Sequence, residues 1–143
     1  MTEPGYPVPP VTNERRTATT RLRLLAASLL AAACGVLHAV WVLFPLLDAR
    51  FTADLMDIPL DPQFRVGTLT VLVIAAVPVL AVASSLWIFH SRTQAAIMAG
   101  VAGVTALGLA LPDIGGSTSG WIPGGLLIPI ALLTYALRDR RKE

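Results

Sequence analysis

Charged and apolar positions segregate into blocks along this chain. Leu24–Leu47, LLAASLLAAACGVLHAVWVLFPLL, carries no formal charge, and roughly 20 apolar residues are enough for a helix to cross a bilayer. Three more stretches of this kind follow: Val66–His90, Gln94–Leu111 and Trp121–Leu137. No strand is predicted. The pattern points to an all-α integral membrane protein with four transmembrane helices in an antiparallel bundle. That domain occupies residues 21–143, behind a polar tail over residues 1–20.

The breaks between the blocks set the connections. Ser91-Arg92-Thr93 reads as a tight turn, which makes the second and third spans antiparallel neighbours. Pro112–Gly120, PDIGGSTSG, is a turn-rich loop by composition. Asp48–Arg65 is the one sizeable loop. Phe51, Leu55 and Ile58 interleave there with Asp54, Asp57 and Asp61, so its first part is expected to form a short helix on the membrane surface, apolar side down. Pro59 and Pro62 would end it, because proline cannot continue the hydrogen-bond ladder. The carboxylates suit calcium by donor type, but no EF-hand spacing or glycine pivot accompanies them. A solvated acidic loop is the simpler reading.

Prolines also fall inside the spans. Pro78 lies mid-way along the second and Pro129 inside the fourth, and each is expected to kink its helix. Pro123 sits at a helix start, where it is tolerated. Gly124-Gly125 argues against a regular first turn in the fourth span.

Small residues mark packing faces. Ala27, Ala31, Gly35 and Ala39 recur every fourth residue in the first span. Ala95, Ala99 and Gly103 do so in the third, as do Ala96 and Gly100. Such faces let helix backbones approach closely in lipid. They predict tight contact between the first and third spans, within one chain or between copies.

The tail Met1–Thr20 holds four prolines and many polar residues. It buries too little to fold alone, so disorder with some polyproline II character is expected. Pro7, Pro9 and Pro10 offer a docking motif, although a solvated tail explains them as well. Leu30–Gly35, LAAACG, loosely matches a lipoprotein cleavage site. However, the apolar run continues to Leu47, far past the 7–15 residues of a signal-peptide core, roughly. Cys34 reads instead as a small packing residue, and a lone cysteine excludes an intramolecular disulfide framework.

Composition supports lipid as the main solvent. Charged residues make up 14% of the chain and the mean hydropathy is +0.68, against about 25% charged in soluble domains. Ten of the eleven basic residues are arginine and alanine is abundant, the usage of a GC-rich bacterial genome, so a bacterial plasma membrane is expected. The net charge of +2 reflects clusters flanking the spans, not a nucleic-acid surface. Nine Lys and Arg fall on the side holding both termini and two, Arg50 and Arg65, on the other. By the positive-inside rule both termini are cytoplasmic.

Candidate chemistry is sparse. No Asp, Glu, Lys or Arg lies inside any expected span, whereas proton relays and ion paths depend on such groups. His38 is the one strongly polar residue deep in a span, about 21 Å along the helix from Leu24. Cys34, one turn earlier, shares its face. A ligand site or a polar intramembrane contact would draw on His38, Cys34 and Thr105. The plainest expectation is a neutral imidazole hydrogen-bonded to Thr105 or another hydroxyl. His90 lies roughly 20 Å away in depth, so the two histidines cannot share a haem. No catalytic residue, metal or cofactor is expected. These features favour a non-enzymatic accessory or scaffold protein that packs with a membrane partner or with itself. Two alternatives use the same features: a holin-like pore-forming oligomer, or a transporter of neutral small molecules.

Overall fold

The structure, a computed structural model, describes residues 12–111 and 121–137, with side chains from residue 17 onwards. The Pro7, Pro9 and Pro10 motif, the loop at 112–120 and the basic C-terminal tail lie outside the described residues. Every element is helical: α1 (Thr12–His38), a π-helical turn (Ala39–Leu43), α2 (Phe44–Met56), a short 3-10 turn (Pro62–Phe64), α3 (Thr68–Trp87), α4 (Arg92–Ala110), α5 (Ile122–Gly125) and α6 (Leu127–Ala136). No strand occurs among the described residues.

Three helices are long and apolar enough to cross a membrane: Thr17–Met56, Thr68–Trp87 and Arg92–Ala110. The fourth apolar segment, Ile122–Ala136, is shorter. It nevertheless traverses the same layer as α4. Gly124 packs beside Ala106 near one end of α4. At the other end, the Arg92 Nη1 donates to the Leu137 carbonyl at 2.5 Å. The expected single helix over 121–137 is instead two pieces joined at Leu126. Pro129 accounts for this: it has no N–H to close a regular turn onto Gly125, and the break lets it sit in the first turn of α6, where no donor is needed.

The first helix differs most from expectation. It begins at Thr12, inside the expected disordered tail, and continues past Leu47 to Met56. Extending an existing helix fixes one residue per new hydrogen bond, so both ends grow cheaply. Ala49, Ala53, Leu55 and Met56 are good helix formers, and no Gly or Pro intervenes before Pro59. Asp57 then ends the helix in the left-handed region, φ 53°, and the Ile58 N–H closes on the Ala53 carbonyl at 3.1 Å. The segment after Asp48 is therefore helical, as expected, but it is an extension of the span rather than a separate surface helix.

Neighbours form a ring: α1 against α3, α3 against α4, α4 against α6, and α6 with α5 back to α1. Within the chain the first and third spans thus lie on a diagonal, and each packs against the second and fourth instead. A Cβ on Gly35 would lie 2.8 Å from the Ala81 Cβ and 3.2 Å from the Pro78 carbonyl oxygen of α3. A Cβ on Gly103 of α4 would lie 2.7 Å from the Ile128 Cγ1 of α6. Much of the small faces is packed inside the chain. Ala27, Ala31, Ala95 and Ala99 are buried, while Ala39 and Gly100 are half-buried.

One end of the layer is closely tied. The Ser28 hydroxyl donates to the Ser85 carbonyl at 2.8 Å, joining α1 to α3. The Ser84 hydroxyl donates to the Ala95 carbonyl at 2.9 Å, joining α3 to α4. The Trp87 indole N–H reaches the Gln94 side-chain oxygen at 2.6 Å, and Ser91 caps α4 by accepting from the Gln94 N–H at 3.4 Å. The connection runs from Ile88 to Ser91, so α3 stops three residues before the expected His90.

Candidate functional site around His38

His38 ends α1 at the start of the π-helical turn. Its ring is fully buried, 0% exposed. Neither ring nitrogen has a hydrogen-bond partner among the described residues. A buried polar group without a partner costs about 1–3 kcal/mol, which makes this the most unusual side chain in the layer. The hydrogen bond expected from Thr105 is absent, although Thr105 is half-buried on α4.

Three residues shape the surroundings. The Trp121 ring meets the imidazole edge-on, with centroids 5.0 Å apart and planes at 61°. Gly124 permits the close approach of α5: a Cβ there would run into the Ala106 Cβ and lie 3.1 Å from the His38 Nδ1. Cys34, one turn before His38 on α1, is buried and unpaired with another cysteine. His38 and Cys34 therefore share the buried side of α1, as their spacing predicts, while Thr105 is not joined to them. No cluster of three His, Cys, Asp or Glu able to hold a metal ion occurs among the described residues. His90 lies at the far end of the layer, against Trp87, with ring centroids 5.7 Å apart.

The π-helical turn is a feature that sequence reading missed. Its bonds widen to five residues, as from the Phe44 N–H to the Ala39 carbonyl. Pro45 follows immediately and supplies the cause: it has no N–H, and its ring would press on the Trp41 carbonyl in a regular α-helix. Widening the turn relieves that contact. π-helical turns are frequent at functional sites, and here the turn places His38 at its N-terminal edge. Pro45 was the available signal; Trp121 and Gly124 became visible only once the fourth segment was packed against α1.

Beyond this turn α2 leaves the layer. Gly35 opposite Pro78 and Ser28 opposite Ser85 fix one antiparallel register between α1 and α3. In that register Thr68, the first residue of α3, lies level with Pro45. Met56 is about 17 Å further along the helix axis. Residues Ile58–Arg65 fold back against α2, with Asp48, Thr52, Pro62 and Phe64 lining a groove of about 550 Å³ between them. The Arg65 Nε donates to the Leu60 carbonyl at 2.7 Å and closes that return.

Comparison with protein-family models, with characterised proteins and with solved structures finds no match to this chain. Functional assignment therefore rests on its own residues.

Proposed function

We propose that this chain is a multi-pass protein of a bacterial plasma membrane. It acts there as a non-enzymatic accessory or scaffold protein that binds a membrane partner. The observation that carries this reading is the filled centre of the ring. Ala27, Ala31 and His38 of α1 are buried, as are Ile74, Val77 and Ala81 of α3 and Ala102 and Ala106 of α4. Leu127 and Ile130 close the core from α6. A packed centre without formal charge favours a binding protein over a permeation path through a single chain. Both termini are assigned to the cytoplasm, supported by the nine-to-two distribution of Lys and Arg. The α2 extension and its acidic return then lie on the outer side.

The test is purification of the intact chain in mild detergent, with an absolute mass for the complex and identification of co-purifying chains. A stoichiometric second protein is the expected result. A lone large homo-oligomer would replace this reading with the pore. A lone monomer with a ligand beside His38 would replace it with the transporter.

A further inference from the structure

We infer that the bare stripe of α2 formed by Phe44, Leu47, Phe51 and Leu55 is the docking surface for a helix of a partner membrane protein. That helix leaves the bilayer alongside α2 and carries Lys or Arg beside its own apolar stripe. The assignment rests on the accessory reading and gives it a location.

At 100° per residue these side chains fall within an arc of about 80°. All are exposed, with Phe51 at 68% and Leu55 at 70%. Much of the opposite face is covered: Leu46 is buried, and Ala49 and Ala53 are half-buried beneath the returning segment. The bare stripe is thus the side of a two-sided helix that the chain leaves open.

Its outer half, Phe51 and Leu55, lies past the level at which α3 begins. The residues bounding the π-helical turn keep helical dihedrals: His38 (φ −63°, ψ −42°), Leu43 (φ −70°, ψ −49°) and Phe44 (φ −64°, ψ −46°). α2 follows the π-helical turn with no loop between them. Phe51 and Leu55 accordingly lie about 9 Å and 15 Å beyond the level of Pro45. Phe44 also lines an apolar groove of about 560 Å³ between α1 and α3, together with Gly35 and Ala39. A partner helix lying in that groove continues directly onto the stripe.

Charge selects the partner's chemistry. Asp48 and Asp54 border the stripe on its two sides, about 60° either way from its centre, and both are exposed. In a parallel pairing with a second copy, carboxylates would face carboxylates, and opposing like charges are destabilising. Basic flanks on the partner satisfy them instead.

The experiment places a benzophenone amino acid at Phe51, at Leu55, or at the exposed Leu132 of α6, in the full chain in its host membrane. The expected result is one polypeptide cross-linked from positions 51 and 55. Its yield should fall about tenfold when Asp48→Lys and Asp54→Lys are combined, and recover when basic residues of the cross-linked partner segment are changed to acidic ones. Adducts from 51 and 55 that contain only lipid, or only a second copy of this chain, overturn the inference. A yield unchanged by the charge reversal overturns the basic flanks. A partner captured only from Leu132 leaves the accessory reading standing and removes this surface. Lipid adducts alone at every position remove both.

Discussion

The two ends of the helical layer are built differently. At the Trp87 end, side chains stitch the helices together: Ser28 to Ser85, Ser84 to Ala95, Trp87 to Gln94 and Arg92 to Leu137. At the Thr68 end the described features are of another kind. His38 is buried with both nitrogens unpaired, the fourth segment is broken at Leu126, and α2 projects with one face bare. On the accessory reading proposed above, the first end serves stability and the second association. The small-residue walls between the ends serve both, because they fix the register that carries α2 outward.

The strongest way to break this contrast is to attack the walls. Gly103→Leu drives a side chain into Ile128 of α6. Overpacking costs typically about 1–3 kcal/mol and more where backbone lies close, so thermal unfolding in detergent should show the largest loss of any variant here. His38→Leu should act in the opposite direction. It removes the desolvation cost of two unpaired nitrogens and gives up the edge-on contact with Trp121. The melting curve should therefore move up, by about 1 kcal/mol. A destabilised His38→Leu would mean that the imidazole has a partner in the membrane and that the Thr68 end is tied after all.

Two smaller effects sharpen the same comparison. Ser84→Ala removes one stitch at the Trp87 end, and interhelical hydrogen bonds within a membrane average about 0.6 kcal/mol. A shift of that size in unfolding by a denaturing detergent is expected, with association unaffected. Phe51→Ser on the bare stripe should leave the purified chain's stability within about 0.5 kcal/mol of the parent, while lowering the amount of partner retained on purification. A loss of stability in Phe51→Ser would show that the stripe is packed within the chain.

Much of the architecture was legible in the sequence because lipid imposes simple rules. Charge-free runs located the helices long and apolar enough to cross a membrane, and the 91–93 turn made α3 and α4 neighbours. Neighbour choice was not legible. A small-xxx-small face states that a backbone can come close but not which backbone, and Gly35 found Pro78 and Ala81 rather than the third span. Helix ends were also misplaced. Asp48 and Arg50 suggested an exit from the membrane, and an exit need not end a helix when good helix formers continue to Met56. The break at Leu126 and the π-helical turn both trace to prolines, Pro129 and Pro45, whose effect depends on position within a turn. At the site, the shared buried face of Cys34 and His38 followed from their spacing. The ring's lack of a hydrogen bond did not, because it reflects Trp121 and Gly124 arriving from the far end of the chain.

The most direct test of the unequal ends is labelling of single cysteines by a membrane-impermeant maleimide, with Cys34 replaced by alanine. Phe51→Cys and Leu55→Cys would be compared in open fragments of the host membrane and in nanodiscs holding the purified chain. Both positions are expected to label slowly in the host membrane, where the partner covers them, and rapidly in nanodiscs. Equal rates in the two settings, whether slow beneath lipid or fast in water, would contradict the account.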